Sequence, residues 1–228
     1  MIGTLYIVPT PIGNLEDMTL RAIRILKGVD LVLCEDTSVT QKLFNHYDIT
    51  TPTSVFFAQT KLKNIDKITG LLEEGKQIAL VSDAGTPTIS DPGVLLVDRV
   101  RSELPEVKVV ALPGPSALTT ALSVSGISSA QFVFLGFLPH KKGRETLFKE
   151  IAESKRTMVF YESVHRIEKT LESLSDCIIA PRQIVIAREL TKVYEEVIFG
   201  TSKEVKSYFS KKKDKIRGEF VVIIEGKK

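Results

Sequence analysis

Carboxylates recur in this sequence near the ends of short strand-like runs: Glu35-Asp36 after residues 29–34, Asp83 after 77–82, Glu162 after 158–161 and Glu189 two positions beyond 184–187. Such groups take up protons or bind ligand hydroxyls and amines, and a well-placed base accelerates a reaction by about 10²–10⁴-fold. Three Gly/Pro-rich loops accompany them. They are Pro9-Thr10-Pro11-Ile12-Gly13-Asn14, then Ser82-Asp83-Ala84-Gly85-Thr86-Pro87 with Ser90-Asp91-Pro92-Gly93 behind it, and Pro113-Gly114-Pro115-Ser116-Ala117. Glycine lets a ligand come close to the backbone and proline fixes the path of the chain. One loop of this composition merely turns the chain. Three, each following an apolar run and carrying Asp or Ser, point to a binding site of the kind open α/β sheets build at the carboxyl ends of their strands. Asp83 offers an acceptor there, while Asp36 is equally suited to capping the helix that follows it.

Other chemistries fail on residue type or context. Gly70-x4-Gly75-Lys76 has the outline of a phosphate-binding loop, but Gln77 has no hydroxyl for Mg²⁺. The segment also closes a helix and enters a strand, the reverse of the required order, so Gly75 reads as a helix C-cap. There is no G-x-G-x-x-G and no G-x-S-x-G, and His46, His140 and His165 lack metal-ligand spacing. Cys34 and Cys177 are too few for a disulfide framework or a metal knot, which fits a reducing compartment. No metal site is expected. No apolar run approaches the ~18–20 residues of a spanning helix, and the N-terminus has no leader pattern, so a cytoplasmic location without membrane attachment is expected.

The elements that must carry these loops follow from periodicity. Apolar runs at residues 4–8, 29–34, 54–57, 77–82 and 107–112 read as strands, and they alternate with helices at 37–46, 64–74 and 94–104. A further helix is expected after Asp17 as its cap, with Leu20, Ile23 and Leu26 as its apolar face and Gly28 at its end. Strand–helix alternation of this spacing predicts a largely parallel sheet covered on both faces. After Pro113–Ser116 come a helix through Val124, strands at 131–137, 158–161 and 184–187, and helices at 144–154 and 164–174. Residues 194–199 and 220–225 have hairpin or edge character. The chain therefore divides into two α/β domains, 1–113 and 114–228.

The 228 residues are 43% hydrophobic and 26% charged, with a net charge of +3, the profile of an ordinary globular protein. The charge is unevenly spread: residues 201–228 hold nine Lys/Arg against four Asp/Glu. Lys141, Lys142 and Arg144 form a second cluster, following Phe137-Leu138-Pro139. Clusters of this kind suit a polyanion, although a charge run is also an ordinary solvated helix face.

Taken in order, seven strings resemble one family. They are Leu5-Tyr6-Ile7-Val8-Pro9-Thr10-Pro11-Ile12-Gly13-Asn14-Leu15, Cys34-Glu35-Asp36-Thr37, the Ser82–Pro87 loop with its Ile89–Gly93 continuation, and Pro113–Ala117. Gly136-Phe137-Leu138-Pro139, Phe160-Tyr161-Glu162-Ser163 and Ala187-Arg188-Glu189-Leu190-Thr191-Lys192 complete the series. Together they are similar to the small-subunit ribosomal RNA methyltransferase I branch of the tetrapyrrole methylase superfamily, from residue 3 to about residue 226. The resemblance implies two α/β domains with S-adenosylmethionine in the cleft between them. It implies 2′-O-methylation of a cytidine in the decoding region of small-subunit ribosomal RNA, free or in the assembled subunit, by a homodimer.

Carried over residue by residue, the resemblance places Pro11, Ile12, Asp83, Thr86, Ser116 and Ala117 at the cofactor, joined by Tyr161, Ala187 and Glu219 from the second domain. Glu35, Glu162 and Lys192 are the candidates for assisting proton loss from the ribose hydroxyl, and Lys141, Lys142 and Arg144 for holding RNA phosphates. Ser38 departs from the family, which carries Arg after Glu-Asp-Thr. Many relatives also continue into a small further domain, so RNA affinity is expected to rest more on Lys211-Lys212-Lys213. Two other functions share parts of this pattern. One is a methylase acting on a tetrapyrrole ring, also an anionic acceptor. The other is a non-catalytic ribosome-binding factor, which would have no use for the three loops.

Overall fold

The computed structural model describes residues 2–56 and 62–228, which fall into two compact units, Met1–Ser116 and Ala117–Lys228. The first unit runs β1 (Thr4–Ile7), α1 (Leu20–Gly28), β2 (Leu31–Cys34), α2 (Thr37–His46), β3 (Thr53–Val55), α3 (Leu62–Glu73), β4 (Gln77–Leu80), α4 (Val94–Glu103) and β5 (Lys108–Ala111). Its five strands pair in the order β3-β2-β4-β1-β5, all parallel. Alternate residues of each strand supply opposite faces. Val32, Cys34, Ala79 and Val81 pack with Ala22, Leu26 and Phe44 on one side, while Leu5, Ile7, Leu33, Ile78 and Leu80 pack with Leu72, Leu96 and Val100 on the other. Burial on both faces is why these strands read as unbroken apolar runs. Neighbouring positions of β4, β1 and β5 bring three strand ends, and hence three loops, to one edge of the sheet.

Local details refine the expectations. Thr19, not Asp17, caps α1: its hydroxyl accepts from the Ala22 amide at 3.1 Å, while Asp17 ends a single 3-10 turn (Leu15–Asp17) capped by Asn14. Leu20 faces solvent and the buried face of α1 is Ala22 and Leu26. Asp36 does cap α2, accepting from the Ser38 amide at 2.7 Å. Gly75, at φ +92°, closes α3, with Gly75 and Lys76 amides donating to the carbonyls of Leu72 and Leu71. That geometry is a helix terminus, not a phosphate cradle. Phe57, the expected end of a strand, lies outside the described residues.

The second unit runs α5 (Ala117–Val124), β6 (Phe132–Phe137), α6 (Arg144–Glu153), β7 (Thr157–Ser163), α7 (Ile167–Cys177), β8 (Ile184–Arg188), β9 (Glu196–Gly200), α8 (Ser202–Lys211) and β10 (Glu219–Ile224). Its sheet has the order β6-β7-β10-β8-β9, and only β6–β7 is parallel. The parallel sheet expected from the strand–helix alternation is that of the first unit; this one is mixed, and β9 is the edge strand expected of residues 194–199. The β8–β9 link is too short for a crossover, so those strands must run antiparallel. β10 then enters between β7 and β8, antiparallel to both. The lysines of α8 hide its apolar face in the sequence, and its local signal is the capping box of Thr201 and Glu204. The two units divide after Ser116, and within the first the Thr86 hydroxyl donates to the Pro115 carbonyl at 2.9 Å.

Candidate functional site

The loops after β1, β4 and β5 are stitched into one rim. Thr10 and Gly85 exchange backbone hydrogen bonds at 2.9 and 3.0 Å, and the Thr10 hydroxyl donates to the Ser82 carbonyl at 2.9 Å. The Ser82 hydroxyl reaches the Gly85 carbonyl at 3.2 Å, and Thr86 reaches Pro115. Gly85 sits at φ +82°, a region other residues avoid. Gly114 is needed for a different reason: a Cβ there would lie 2.7 Å from Cβ of Pro9. The sequence assembled these loops by type alone; the structure brings them into bonding contact. Pro11, Ile12, Thr86 and Ser116 are partly exposed on this rim and Asp83 is exposed.

Carboxylates gather beside it. The Asp83 Oδ1 accepts from the Asp36 amide at 3.1 Å. Burial pushes the Asp83 carboxyl up, against the bond from the Asp36 amide, with the Asp36 and Asp91 charges adding to the rise. Glu35 is lifted further, to about 7, first by burial and then by Asp91 and Asp83. A carboxylate at that value is matched to general-base work near neutral pH. Asp91 is held by accepting from the Gly93 amide at 2.6 Å, and Thr88 and Ser90 in the same segment carry φ of 74° and 59°. A threonine there is strained, and such strain concentrates at functional loops. Nothing in the sequence singled out Asp91 as the neighbour that tunes Glu35.

In the second unit, Tyr161 and Ala187 both pair with Val221, on β7 and β8, so the three lie in one row across the sheet. The Tyr161 ring packs edge-on against Phe134 and Phe137, and its hydroxyl, bonded to the Leu118 backbone, is raised in pKa by burial. Ala117, named with the first-unit loops, begins α5 of the second unit. Glu219 opens β10 with its side chain 80% exposed and lies 3.3 Å from the Lys192 ammonium, which also meets Glu189 at 3.0 Å. Burial pulls Lys192 down, but the two carboxylates outweigh it and hold the amine above its ordinary value. The two carboxylates thus favour the charged form of Lys192. Gly218 at φ +77° makes room for this group, since a Cβ would lie 2.0 Å from the Glu189 carboxylate.

Two expectations are corrected by the surroundings. Glu162 is not placed as a base: it is 1% exposed, its oxygens accept from the Ser163 amide (2.8 Å) and the Thr170 hydroxyl (2.6 Å), and the Arg166 guanidinium forms an ion pair with it at 2.9 Å. Arg144 is not a free phosphate contact. Its guanidinium, 11% exposed, donates to the Pro139 carbonyl and Thr170 and stacks on Phe148. Lys141 and Lys142 remain exposed. Arg166, the residue before α7, and Thr170, on α7, complete this cluster, and nothing in their residue types announces that they enclose a carboxylate from β7. Among the described residues no three His, Cys, Asp or Glu side chains converge as a metal site, and no helix is long and apolar enough to cross a membrane.

A parallel unit with three Gly/Pro loops at its strand ends, followed by a mixed sheet, defines the class. The chain belongs to the tetrapyrrole (corrin/porphyrin) methylases, whose family model matches residues 4–206. Solved structures agree on the fold. A cobalt precorrin-4 methyltransferase superposes with TM-score 0.71 at 16% identity, covering 97% of this chain and 94% of that one. A uroporphyrin-III C-methyltransferase of Thermus thermophilus, complexed with S-adenosyl homocysteine, gives 0.67 at 18%, covering 98% and 97%.

Sequence likeness is more particular. The chain is 47% identical over 226 residues to the Ribosomal RNA small subunit methyltransferase I of Thermotoga maritima, spanning 99% of this chain and 100% of the relative. Its likeness to the Bacillus subtilis protein of the same name is 46% over 228 residues, 99% of this chain and 76% of that one.

Proposed function

We propose that this chain methylates the 2′-hydroxyl of a cytidine ribose in the decoding region of small-subunit ribosomal RNA, with S-adenosylmethionine as methyl donor. The observation that carries the reading is the 47% identity along the entire length of a relative named for ribosomal RNA methylation. Bound at the rim, the sulfonium supplies a methyl group already activated for transfer.

The residues present fit such a ligand. Gly85 and Gly114 bring bare backbone to the rim, Pro11 and Ile12 give it apolar wall, and Asp83 is an acceptor for ribose hydroxyls or an ammonium. Glu35 takes the proton from the attacking hydroxyl onto its carboxylate. Orientation of hydroxyl and methyl in line accounts for the rest, since proximity contributes up to about 7–11 kcal/mol.

Calorimetric titration with S-adenosylmethionine and methylation of small ribosomal subunits lacking the modification test the reading together. Asp83→Ala is expected to weaken cofactor binding about tenfold, about 1.4 kcal/mol, with the fold intact by circular dichroism. Unchanged affinity removes Asp83 from the site.

A homodimer is part of the proposal. The edge strand β9 and its approach expose Val193, Tyr194 and Phe199, which are 93%, 71% and 50% accessible in the single chain. Light scattering is expected to give twice the 25.3 kDa chain mass, and a particle of one chain mass rejects the dimer.

A further inference from the structure

The buried carboxylate of Glu162 holds two arginines, and each arginine holds one carbonyl of the same loop. On one side Arg166 Nε meets Glu162 Oε1 at 2.9 Å and Arg166 Nη1 donates to the Leu138 carbonyl at 2.7 Å. On the other, the Thr170 hydroxyl donates to Glu162 Oε2 at 2.6 Å and accepts from Arg144 Nη2 at 2.7 Å, while Arg144 Nη1 donates to the Pro139 carbonyl at 3.1 Å. The direct Arg144–Glu162 separation is 4.0 Å, so the threonine is the working link. Two consecutive carbonyls are thus clamped at the start of the loop that carries Lys141 and Lys142. Its far end is closed by the Arg144 amide donating to the Lys141 carbonyl at 3.2 Å, with Gly143 at φ +81°.

Burying a carboxylate and two guanidiniums is costly, and one arginine would neutralise the acid. A network that spends both cations on adjacent main-chain oxygens fixes a loop path more firmly than core packing requires. The two lysines at the tip are exposed and lie in no ion pair found among the described residues. They stand free to meet an anion.

We propose that Glu162 is a positioning residue for the RNA backbone: through Arg166 and through Thr170–Arg144 it fixes the 138–143 loop so that Lys141 and Lys142 meet phosphates in a set register. The inference rests on the RNA substrate proposed above. Held in place, two cations displace counterions from two phosphates; on a loose loop they do so only part of the time, and ordering them draws on the binding energy.

The test is binding of the full chain to small ribosomal subunits lacking the modification, across a salt series, with S-adenosylmethionine affinity measured alongside. Lys141→Ala with Lys142→Ala is expected to flatten the slope of log K against log salt by about 1.4, two phosphates at about 0.7 each. Glu162→Gln and Thr170→Val are each expected to flatten it in the same direction. They should also raise the RNA KM about tenfold, with kcat and cofactor affinity near wild type. Thr170→Ser, which keeps the hydroxyl, should restore the wild-type slope. Thr170→Val serves if Glu162→Gln does not fold. Wild-type slopes in both clamp variants, with the lysine pair still flattening it, overturn the clamp and leave the RNA reading standing. A lysine pair without effect overturns the clamp as well. Absence of subunit binding and methylation by the wild-type chain, with the cofactor still bound, overturns the RNA reading itself.

Discussion

Replacing Glu35 by Gln is expected to lower kcat by about 10²–10⁴-fold, the usual worth of a general base, with S-adenosylmethionine affinity little changed. The amide is nearly the same shape and cannot take up the proton. The pH profile gives the sharper check. With its carboxyl lifted to about 7 by burial, Asp91 and Asp83, the wild-type rate should fall as pH drops below 7, because the base becomes protonated. Glu35→Gln should lose that limb along with most of the rate.

Stability moves the opposite way. Folding raises this group from an ordinary 4.5 to about 7, so between those values the folded chain binds more protons than the unfolded one. Stability contributed by this site therefore falls as pH rises through that window. The carboxyl is only partly buried, so after solvent screening the gain in Glu35→Gln above pH 7 is about 1 kcal/mol, or about 2–4 °C in Tm. A less active and slightly more stable variant is the signature of a strained functional group. A variant with an unaltered pH profile would assign the base elsewhere.

Gly114→Ala is expected to cost about 3 kcal/mol of stability, near the upper end for overpacking, and more than tenfold in S-adenosylmethionine affinity. The added methyl would lie 2.7 Å from Cβ and 3.0 Å from Cγ of Pro9. A proline ring cannot rotate out of the way, so the first and third loops must part. The Thr86–Pro115 and Thr10–Gly85 bonds, which hold the rim together, lie next to that strain. Chemical denaturation and calorimetry measure the two losses separately. A stable variant with intact cofactor binding would show that the rim tolerates separation and that these loops do not form one site. Gly28→Ala is the control, since no atom lies within 4 Å of a Cβ built there.

Much of this protein was legible in its sequence because the signals are local. The central strands β1, β2 and β4 announce themselves as apolar runs, since burial on both faces leaves little room for polar side chains in them. The stop at Gly75, the cap at Asp36 and the three Gly/Pro loops all depend on the residue's own backbone freedom or on a partner a few positions away. The resemblance to the tetrapyrrole methylases likewise rests on short strings in order. The start of α8 is also marked locally, by the Thr201–Glu204 capping box ahead of its lysines. Strand direction in the second unit was decided by how β10 enters between β7 and β8, a pairing that no window of sequence contains. The roles of the charged residues were decided in the same way. Glu35 and Glu162 look alike in sequence, each a carboxylate following an apolar run. One is brought against Asp83 and Asp91, distant along the chain, and its carboxyl is lifted to about 7; the other is enclosed by Arg166 and Thr170. An ionisable group takes its character from burial and from charges through space, which fall off with distance in three dimensions and not with separation along the chain.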